Sequence, residues 1–130
     1  MSIAKSSKQG NLCKKVSEYL KYTAFRVEKQ RSCLELFTLL ATLKVKPGKE
    51  VEVTEICTQL AKEVLSKEKD CLMYIPHVVK NDPTEIVLFE KYKDKEAFKA
   101  HGSSGYFKEA AQKFEDLLEG KIQVKFLEEV

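Results

Sequence analysis

The chain has little of what usually marks a specialised class of protein. Its 130 residues include no tryptophan and three prolines. No apolar run approaches the roughly 18 residues that are needed to cross a bilayer, and the first ten residues lack the apolar core of a secretory signal. We therefore expect a cytoplasmic protein with no membrane partner. A mitochondrial transit segment is only a minor alternative. Such segments are poor in acidic residues, whereas this N-terminal region contains Glu18 and Glu28.

The potential metal ligands are also few and scattered. No C-x-x-C pair occurs among the four cysteines, which are Cys13, Cys33, Cys57 and Cys71. The two histidines, His77 and His101, are too far apart for a local ligand motif. A chain of this length can bury a core without disulfides, so free and mostly buried thiols are expected. No dinucleotide-binding fingerprint is present either, and the scattered ligands predict no metal site.

Charge divides the chain into two parts. Residues 1–32 hold eight basic and two acidic side chains, for a net charge of +6, and the other 98 residues hold 15 basic and 18 acidic side chains, for −3. Apolar residues recur at helical spacing from about residue 12 to residue 30. We interpret 1–34 as a basic tail and helix, and 35–130 as the folded domain. A basic arm can contact nucleic acid, an anionic membrane or its own domain. A solvated helix face is the simpler interpretation, and no nucleic-acid partner is expected.

From residue 35 onward, strand and helix patterns alternate. Strands are predicted at 35–45, 71–79, 84–92 and 121–127, the last with Ile122, Val124 and Phe126 facing inward. Helices are predicted at 49–66, 94–101 and 104–120, and Asp94 is the expected cap of the second helix. Pro76 cannot donate a ladder hydrogen bond, so the second strand is bulged or lies at an edge. The order β-α-β-β-α-α-β predicts an α+β fold with one ferredoxin-like antiparallel sheet and its helices on one face.

The predicted sheet is apolar on both faces, notably at residues 36–43 and 86–89. Helices on one side leave the other apolar face bare, and such a face drives aggregation or association. Two copies that pack their sheets face to face would bury it in a symmetric dimer. We therefore expect a homodimer.

An ordered set of motifs runs through residues 35–130. In chain order they are Pro47-Gly48, Cys71-Leu72-Met73-Tyr74, His77, Asp82-Pro83, Phe89-Glu90, Ala97, His101, Ser104 and Phe107. Their order and spacing resemble the antibiotic biosynthesis monooxygenase (ABM) family of small dimeric α+β-barrel proteins. The chain departs from the family pattern at Pro76, at Gly102 directly after His101, and in having no tryptophan.

The resemblance implies a function as well as a fold. Members of the family oxidise phenols, quinols or anthrones with dioxygen and without flavin, haem or metal, because the deprotonated substrate itself supplies the electrons. The resemblance therefore implies a homodimer that binds a small aromatic or carbonyl metabolite and needs no cofactor. Relatives of the fold also isomerise small carbonyl compounds or only bind ligands, so the sequence leaves open whether the chain is an enzyme.

Two histidines are the candidate catalytic residues. His101 lies at a predicted helix end beside a Gly-Ser break, and a histidine can act as a base near neutral pH, although helix-terminal histidines also cap carbonyl groups. His77 alternates with Met73 and Ile75 on its strand, and it either reaches a cavity or faces solvent.

The predicted substrate pocket contains five further residues: Tyr74, Phe89, Glu90, Tyr92 and Phe107. The aromatic residues among them could equally belong to an ordinary core. Glu90 and Tyr92 share a strand face with Ile86 and Leu88, and a carboxylate on such a face needs a hydrogen-bond partner.

Overall fold

The structure is a computed structural model that describes residues 36–130. Its elements are, in order, β1 (Phe37–Lys44), α1 (Glu50–Lys67), β2 (Cys71–Val79), β3 (Asp82–Tyr92), α2 (Lys95–Gly102), α3 (Gly105–Leu117) and β4 (Gln123–Leu127). This is the predicted β-α-β-β-α-α-β order. The basic segment 1–34, its predicted helix, Cys13 and Cys33 all lie outside the described residues.

The four strands form one antiparallel sheet in the order β2-β3-β1-β4. Strand β1 is central and pairs with β3 and β4, so that Leu39 lies opposite Glu90 on one side and Phe126 on the other. Strand β2 is at an edge, as Pro76 predicts, and its pairing with β3 shifts register between Cys71 and Met73.

The helices cover one face of the sheet. Buried side chains of α1 recur at helical spacing, namely Val53, Cys57, Leu60, Ala61 and Val64. They pack on strand residues that include Leu39, Leu43, Ile86 and Leu88. Burying one such aliphatic side chain contributes about 1.5–3 kcal/mol to folding. The free thiols of Cys57 and Cys71 are buried here, as predicted, and burial raises the pKa of each to about 12.

Side-chain caps set the junction between α2 and α3. Asp94 accepts a 2.8 Å hydrogen bond from the backbone N–H of Ala97, which caps α2 as the sequence predicts. Ser104 caps α3 by accepting from the N–H of Phe107, and its hydroxyl donates to the carbonyl of His101 at 2.7 Å. The last turn of α2 is thereby held against the start of α3, with His101 between them.

The opposite face of the sheet is only partly open within residues 36–130, because Thr38 and Lys91 are buried there and Lys91 pairs with Glu129. Met73, Ile75 and Leu127 are about 40% exposed there, at 41%, 43% and 39%, and Phe89 is half-buried. The register places all of these residues on the face away from the helices. The predicted apolar second face is therefore present. No helix in the described part of the chain is long and apolar enough to cross a membrane.

Three boundaries differ from the sequence prediction. The turn before β3 is Lys80-Asn81, so that β3 begins at Asp82, whose carboxylate accepts hydrogen bonds from Thr84. Helix α3 ends at Leu117, not at Gly120, because Leu118 forms an isolated bridge with Val45.

The final strand is also shorter and more exposed than predicted. It begins at Gln123, and Val124 and Phe126, which were expected to be buried, are 43% and 62% exposed. Both residues do face the helix side, since Phe126 contacts the rings of Phe37 and Phe98. Their exposure follows from the position of β4 at the edge of the sheet.

Candidate functional site

A cavity of about 190 Å³ lies between the sheet and the helices. Its walls are almost entirely apolar, with Leu39, Ala41 and Leu88 from the sheet and Leu60, Phe107 and Phe114 from the helices. Four titratable side chains reach it, those of Tyr74, Glu90, Lys99 and His101. A small apolar cavity with a few polar groups is the usual form of a small-molecule site.

His101 is the most enclosed polar residue at the cavity. It lies on the last turn of α2 and is 2% exposed. Aromatic rings surround its imidazole, with ring centroids at 4.7 Å for Phe107, 5.3 Å for Tyr74 and 5.7 Å for Tyr92. Its Nδ1 lies 3.0 Å from Oε2 of Glu68. The predicted histidine is therefore buried in an aromatic environment, with one nitrogen bound to a carboxylate.

Glu68 comes from the loop between α1 and β2. Its Oε2 also accepts a hydrogen bond from the hydroxyl of Tyr106. Burial, followed by this hydrogen bond, raises the pKa of Tyr106 to about 12. Oε1 of Glu68 is buried and has no hydrogen-bond partner among residues 36–130. One carboxylate oxygen therefore makes both contacts, and the other has no partner among the described residues.

Glu90 is a second buried carboxyl group at the same cavity. It is 5% exposed, and its Oε1 accepts a 2.7 Å hydrogen bond from the hydroxyl of Tyr92. Burial raises the pKa of Glu90 to about 7; the Tyr92 hydrogen bond opposes this rise and the negative charge of Glu68 adds to it. Burial also raises the pKa of Tyr74 and of Tyr92 well above the ordinary value. The cavity thus contains a carboxyl group that changes protonation near neutral pH.

The structure brings together most of the residues that the sequence singled out. Tyr74, Glu90, His101 and Phe107 line the cavity, and Tyr92 lies directly behind Glu90.

Three predicted site residues do not line this cavity, namely Tyr92, His77 and Phe89. His77 is exposed, and Phe89 is half-buried on the open face of the sheet. Side chains alternate along a strand, so that Phe89 points away from the face that Glu90 occupies.

Sequence reasoning missed Glu68 and Tyr106. Glu68 lies in the charged run 67–70, a composition that is typical of a solvated loop. Tyr106 follows the Gly-Ser break without any periodic signal of its own. Only the fold, which places the end of α1 beside the junction of α2 and α3, shows that these residues contact His101.

The described residues contain no obvious metal centre. Within residues 36–130, no group of three or more His, Cys, Asp or Glu side chains is placed to hold a metal ion.

The four-stranded antiparallel sheet with three helices on one face defines a ferredoxin-like α+β protein, and its cavity lies between the two layers. The chain belongs to the antibiotic biosynthesis monooxygenase family, whose family model matches residues 36–113. A comparison with curated proteins finds no match.

Solved structures are similar over most of the chain. A Caulobacter crescentus protein, provisionally described as an antibiotic biosynthesis monooxygenase, is 28% identical with a TM-score of 0.70, over 79% of this chain and 98% of that one. A conserved protein from Methanosarcina mazei is 26% identical with a TM-score of 0.67, over 72% and 91%. A Bacteroides thetaiotaomicron protein of unknown function, described as a possible oxidoreductase, is 18% identical with a TM-score of 0.64, over 72% and 98%, and shares the fold.

Proposed function

We propose that this protein is a cofactor-independent monooxygenase that oxidises a single-ring phenol or quinol with dioxygen. The observation that carries the proposal is the placement of His101, which is buried at an apolar cavity with Nδ1 bound to Glu68. A base in such a site can remove a phenolic proton without competition from bulk water. Membership of the ABM family supports the same reaction class.

The reaction needs no external reductant when the substrate is a quinol. A hydroquinone and one dioxygen molecule give a hydroxyquinone and one water molecule. One oxygen atom enters the ring and the other leaves as water. The four electrons that reduce dioxygen come from the substrate, two from the C–H bond that is hydroxylated and two from the oxidation of quinol to quinone. The protein has to bind the quinol, remove its proton and exclude water.

Two titratable groups of the cavity suit these tasks. In our proposal, Nε2 of His101 accepts the proton of the first hydroxyl group, which makes the ring electron-rich enough to react with dioxygen. Glu90, with a pKa of about 7, holds its proton over much of the range below neutral pH and can donate a hydrogen bond to the second oxygen of the substrate. Tyr74 and Phe107 form aromatic walls beside the ring.

The size of the cavity argues for a single ring. An apolar cavity of about 150 Å³ is sufficient to bind benzene, and this one is about 190 Å³. A hydroquinone or a substituted phenol fits that space. A three-ring anthrone would need either a larger site or an opening of the helices.

We also propose that the protein is a homodimer that buries its open sheet face. The exposed apolar side chains Met73, Ile75 and Leu127 lie on that face, together with Phe89. Pairing two such faces removes them from water and yields the barrel arrangement that the family resemblance implies.

A second candidate function rests on the presence of Glu90 and His101 in the same cavity. A carboxyl group that titrates near pH 7 and an imidazole in one cavity can act as acid and base on a small hydroxy-ketone, moving a proton between adjacent carbons. Such an isomerase would consume no oxygen. Oxygen uptake therefore separates the two candidates.

The test is oxygen consumption by chelator-treated protein with a series of hydroquinones and phenols of increasing size. We expect uptake above the spontaneous rate with single-ring compounds, and little with anthrones. His101→Gln should lower kcat/KM at least about tenfold, as loss of a general base does, whereas His77→Gln on the exposed sheet face should leave it unchanged.

Absence of oxygen uptake with every compound would contradict the monooxygenase. If, in addition, hydroxy-ketones were isomerised, the second candidate would replace it. Thermal unfolding of both histidine variants serves as the control for folding.

A further inference from the structure

Glu68 lies in a loop that backbone contacts hold in place at both ends. Its own N–H donates to the carbonyl of Val64 at 2.8 Å, as the C-cap of α1. The carbonyl of Asp70 accepts from the N–H of Lys93 at 2.8 Å, which ties the other end of the loop to the chain that follows β3. A short loop fixed in this way can present a side chain in one defined position.

The carboxylate of Glu68 is turned inward, and within the described residues its side-chain partners are His101 and Tyr106. Its side chain is 14% exposed. Within residues 36–130 it forms no ion pair with a lysine or an arginine, and the neighbouring Lys67 pairs instead with Glu63 at 2.7 Å. A buried carboxylate with an unpaired oxygen is costly, and a positive charge formed beside it offsets that cost.

The contact with Glu68 also determines the tautomer of His101. An ionised carboxylate only accepts hydrogen bonds, so that Nδ1 must carry the proton in the 3.0 Å contact with Oε2. In the neutral ring, Nε2 then has the free lone pair. Nε2 forms no hydrogen bond with any of residues 36–130, and the ring lines the cavity.

We propose that Glu68 is the positioning residue of this site, which holds His101 in the Nδ1–H tautomer so that Nε2 can accept a proton from a bound substrate. The role of Nε2 as the base rests on the proposed function, whereas the tautomer does not. Glu68 does not touch the cavity; it acts through His101, and its charge complements the imidazolium that forms after proton transfer. Tyr106 donates the second hydrogen bond that orients the carboxylate.

The tautomer can be observed directly by two-bond ¹H–¹⁵N correlation NMR. The chain has two histidines, so a His77→Gln background in tag-free protein leaves only the imidazole of His101. We expect the neutral ring to be in the Nδ1–H form. Glu68→Gln preserves the shape of the side chain, but its amide can donate to Nδ1, and the ring should change to the Nε2–H form. Glu63→Gln, the same change at a carboxylate of α1 that pairs with Lys67, should have no effect.

Kinetics with a quinol provides a second measurement. Glu68→Gln should lower kcat at least about tenfold and change KM less than about twofold, because the residue does not contact the substrate. Glu68→Asp, which restores a carboxylate, should recover part of kcat. Tyr106→Phe should have a smaller effect than Glu68→Gln.

The outcomes separate the two proposals. A tautomer change in Glu68→Gln without oxygen uptake by any variant supports the positioning role and contradicts the monooxygenase. Oxygen uptake together with an unchanged tautomer and an unchanged kcat in Glu68→Gln overturns the positioning role. An Nε2–H ring in the unmodified site would overturn it as well.

Discussion

The hydroxyl of Tyr92 donates a 2.7 Å hydrogen bond to Oε1 of Glu90, two residues earlier on the same strand. Residues at this spacing share one face of a strand, so that the pair is built from local sequence alone. The bond satisfies one carboxyl oxygen in an environment that is otherwise apolar. It also means that the protonation of Glu90 and the stability of the domain are linked.

The first prediction concerns stability and pH. Burial raises the pKa of Glu90 from 4.5 to about 7, so that between these values the folded protein holds a proton that the unfolded chain releases. The contribution of Glu90 to stability is therefore fully present below pH 4.5, and it is lost as pH rises toward 7. The difference corresponds to about 3 kcal/mol, as an order of magnitude.

Urea unfolding at a fixed protein concentration, at about pH 5 and about pH 8, measures this loss. Glu90→Gln is the matched control, since its amide oxygen can still accept from Tyr92 but does not titrate. The decrease between the two pH values should be much smaller in Glu90→Gln. An equal decrease in both proteins would assign the pH dependence to other groups.

The second prediction concerns Tyr92→Phe. Loss of the buried hydroxyl should lower the free energy of unfolding by about 1–2 kcal/mol near pH 6. Because the hydrogen bond favours the ionised carboxylate, the pKa of Glu90 should rise further, and the loss of stability should extend to higher pH. In the Glu90→Gln background, Tyr92→Phe should no longer change the pH dependence of the free energy of unfolding. Infrared titration of the carboxyl band, in the unmodified protein and in Tyr92→Phe, measures the pKa of Glu90 in each.

The third prediction concerns the cavity. Ala41 lines it and is 4% exposed, so Ala41→Leu places three more carbon atoms in the empty space. Added burial and overpacking should nearly cancel, changing the free energy of unfolding by about 1 kcal/mol or less. Binding of a single-ring phenol, measured by calorimetry, should weaken at least about tenfold. Ala100→Leu, at an exposed position of α2, should bind the phenol as tightly as the unmodified protein does. Unchanged binding by Ala41→Leu would place the ligand elsewhere.

The fourth prediction concerns the open sheet face. Ile75→Glu introduces a charge among the exposed apolar side chains of this face and should convert the proposed dimer into a monomer, as measured by light scattering after gel filtration. Val51→Glu is the control, because Val51 is also apolar and 70% exposed but lies on α1. If Ile75→Glu kept the mass of two chains, the interface would have to lie on another surface.

Local rules predicted much of the fold and part of the site. Alternation in the strands, Asp94 as a cap and the edge position implied by Pro76 all depend on near neighbours in sequence, and the structure confirms them. The same alternation separates Phe89 from Glu90 and Tyr92, which cannot all face one cavity. Applied strictly, it would have removed Phe89 from the predicted pocket.

Glu68 could not be predicted because its role depends on tertiary contacts. It meets His101, 33 residues later, only because α1 ends beside the junction of α2 and α3. The charged composition of residues 67–70 is typical of a solvent-exposed loop and gives no sign of this contact. The exposure of Val124 and Phe126 could not be predicted for a similar reason, since a strand pattern does not specify which strand lies at the edge of the sheet.

The most direct test of the proposed chemistry is a turnover of chelator-treated protein with a hydroquinone under ¹⁸O₂, followed by mass spectrometry of the quinone product and of the water. We predict that one labelled oxygen atom enters the quinone and one enters water, and that His101→Gln slows the formation of this product. A quinone without label, or labelled product formed equally fast by His101→Gln, would contradict the account.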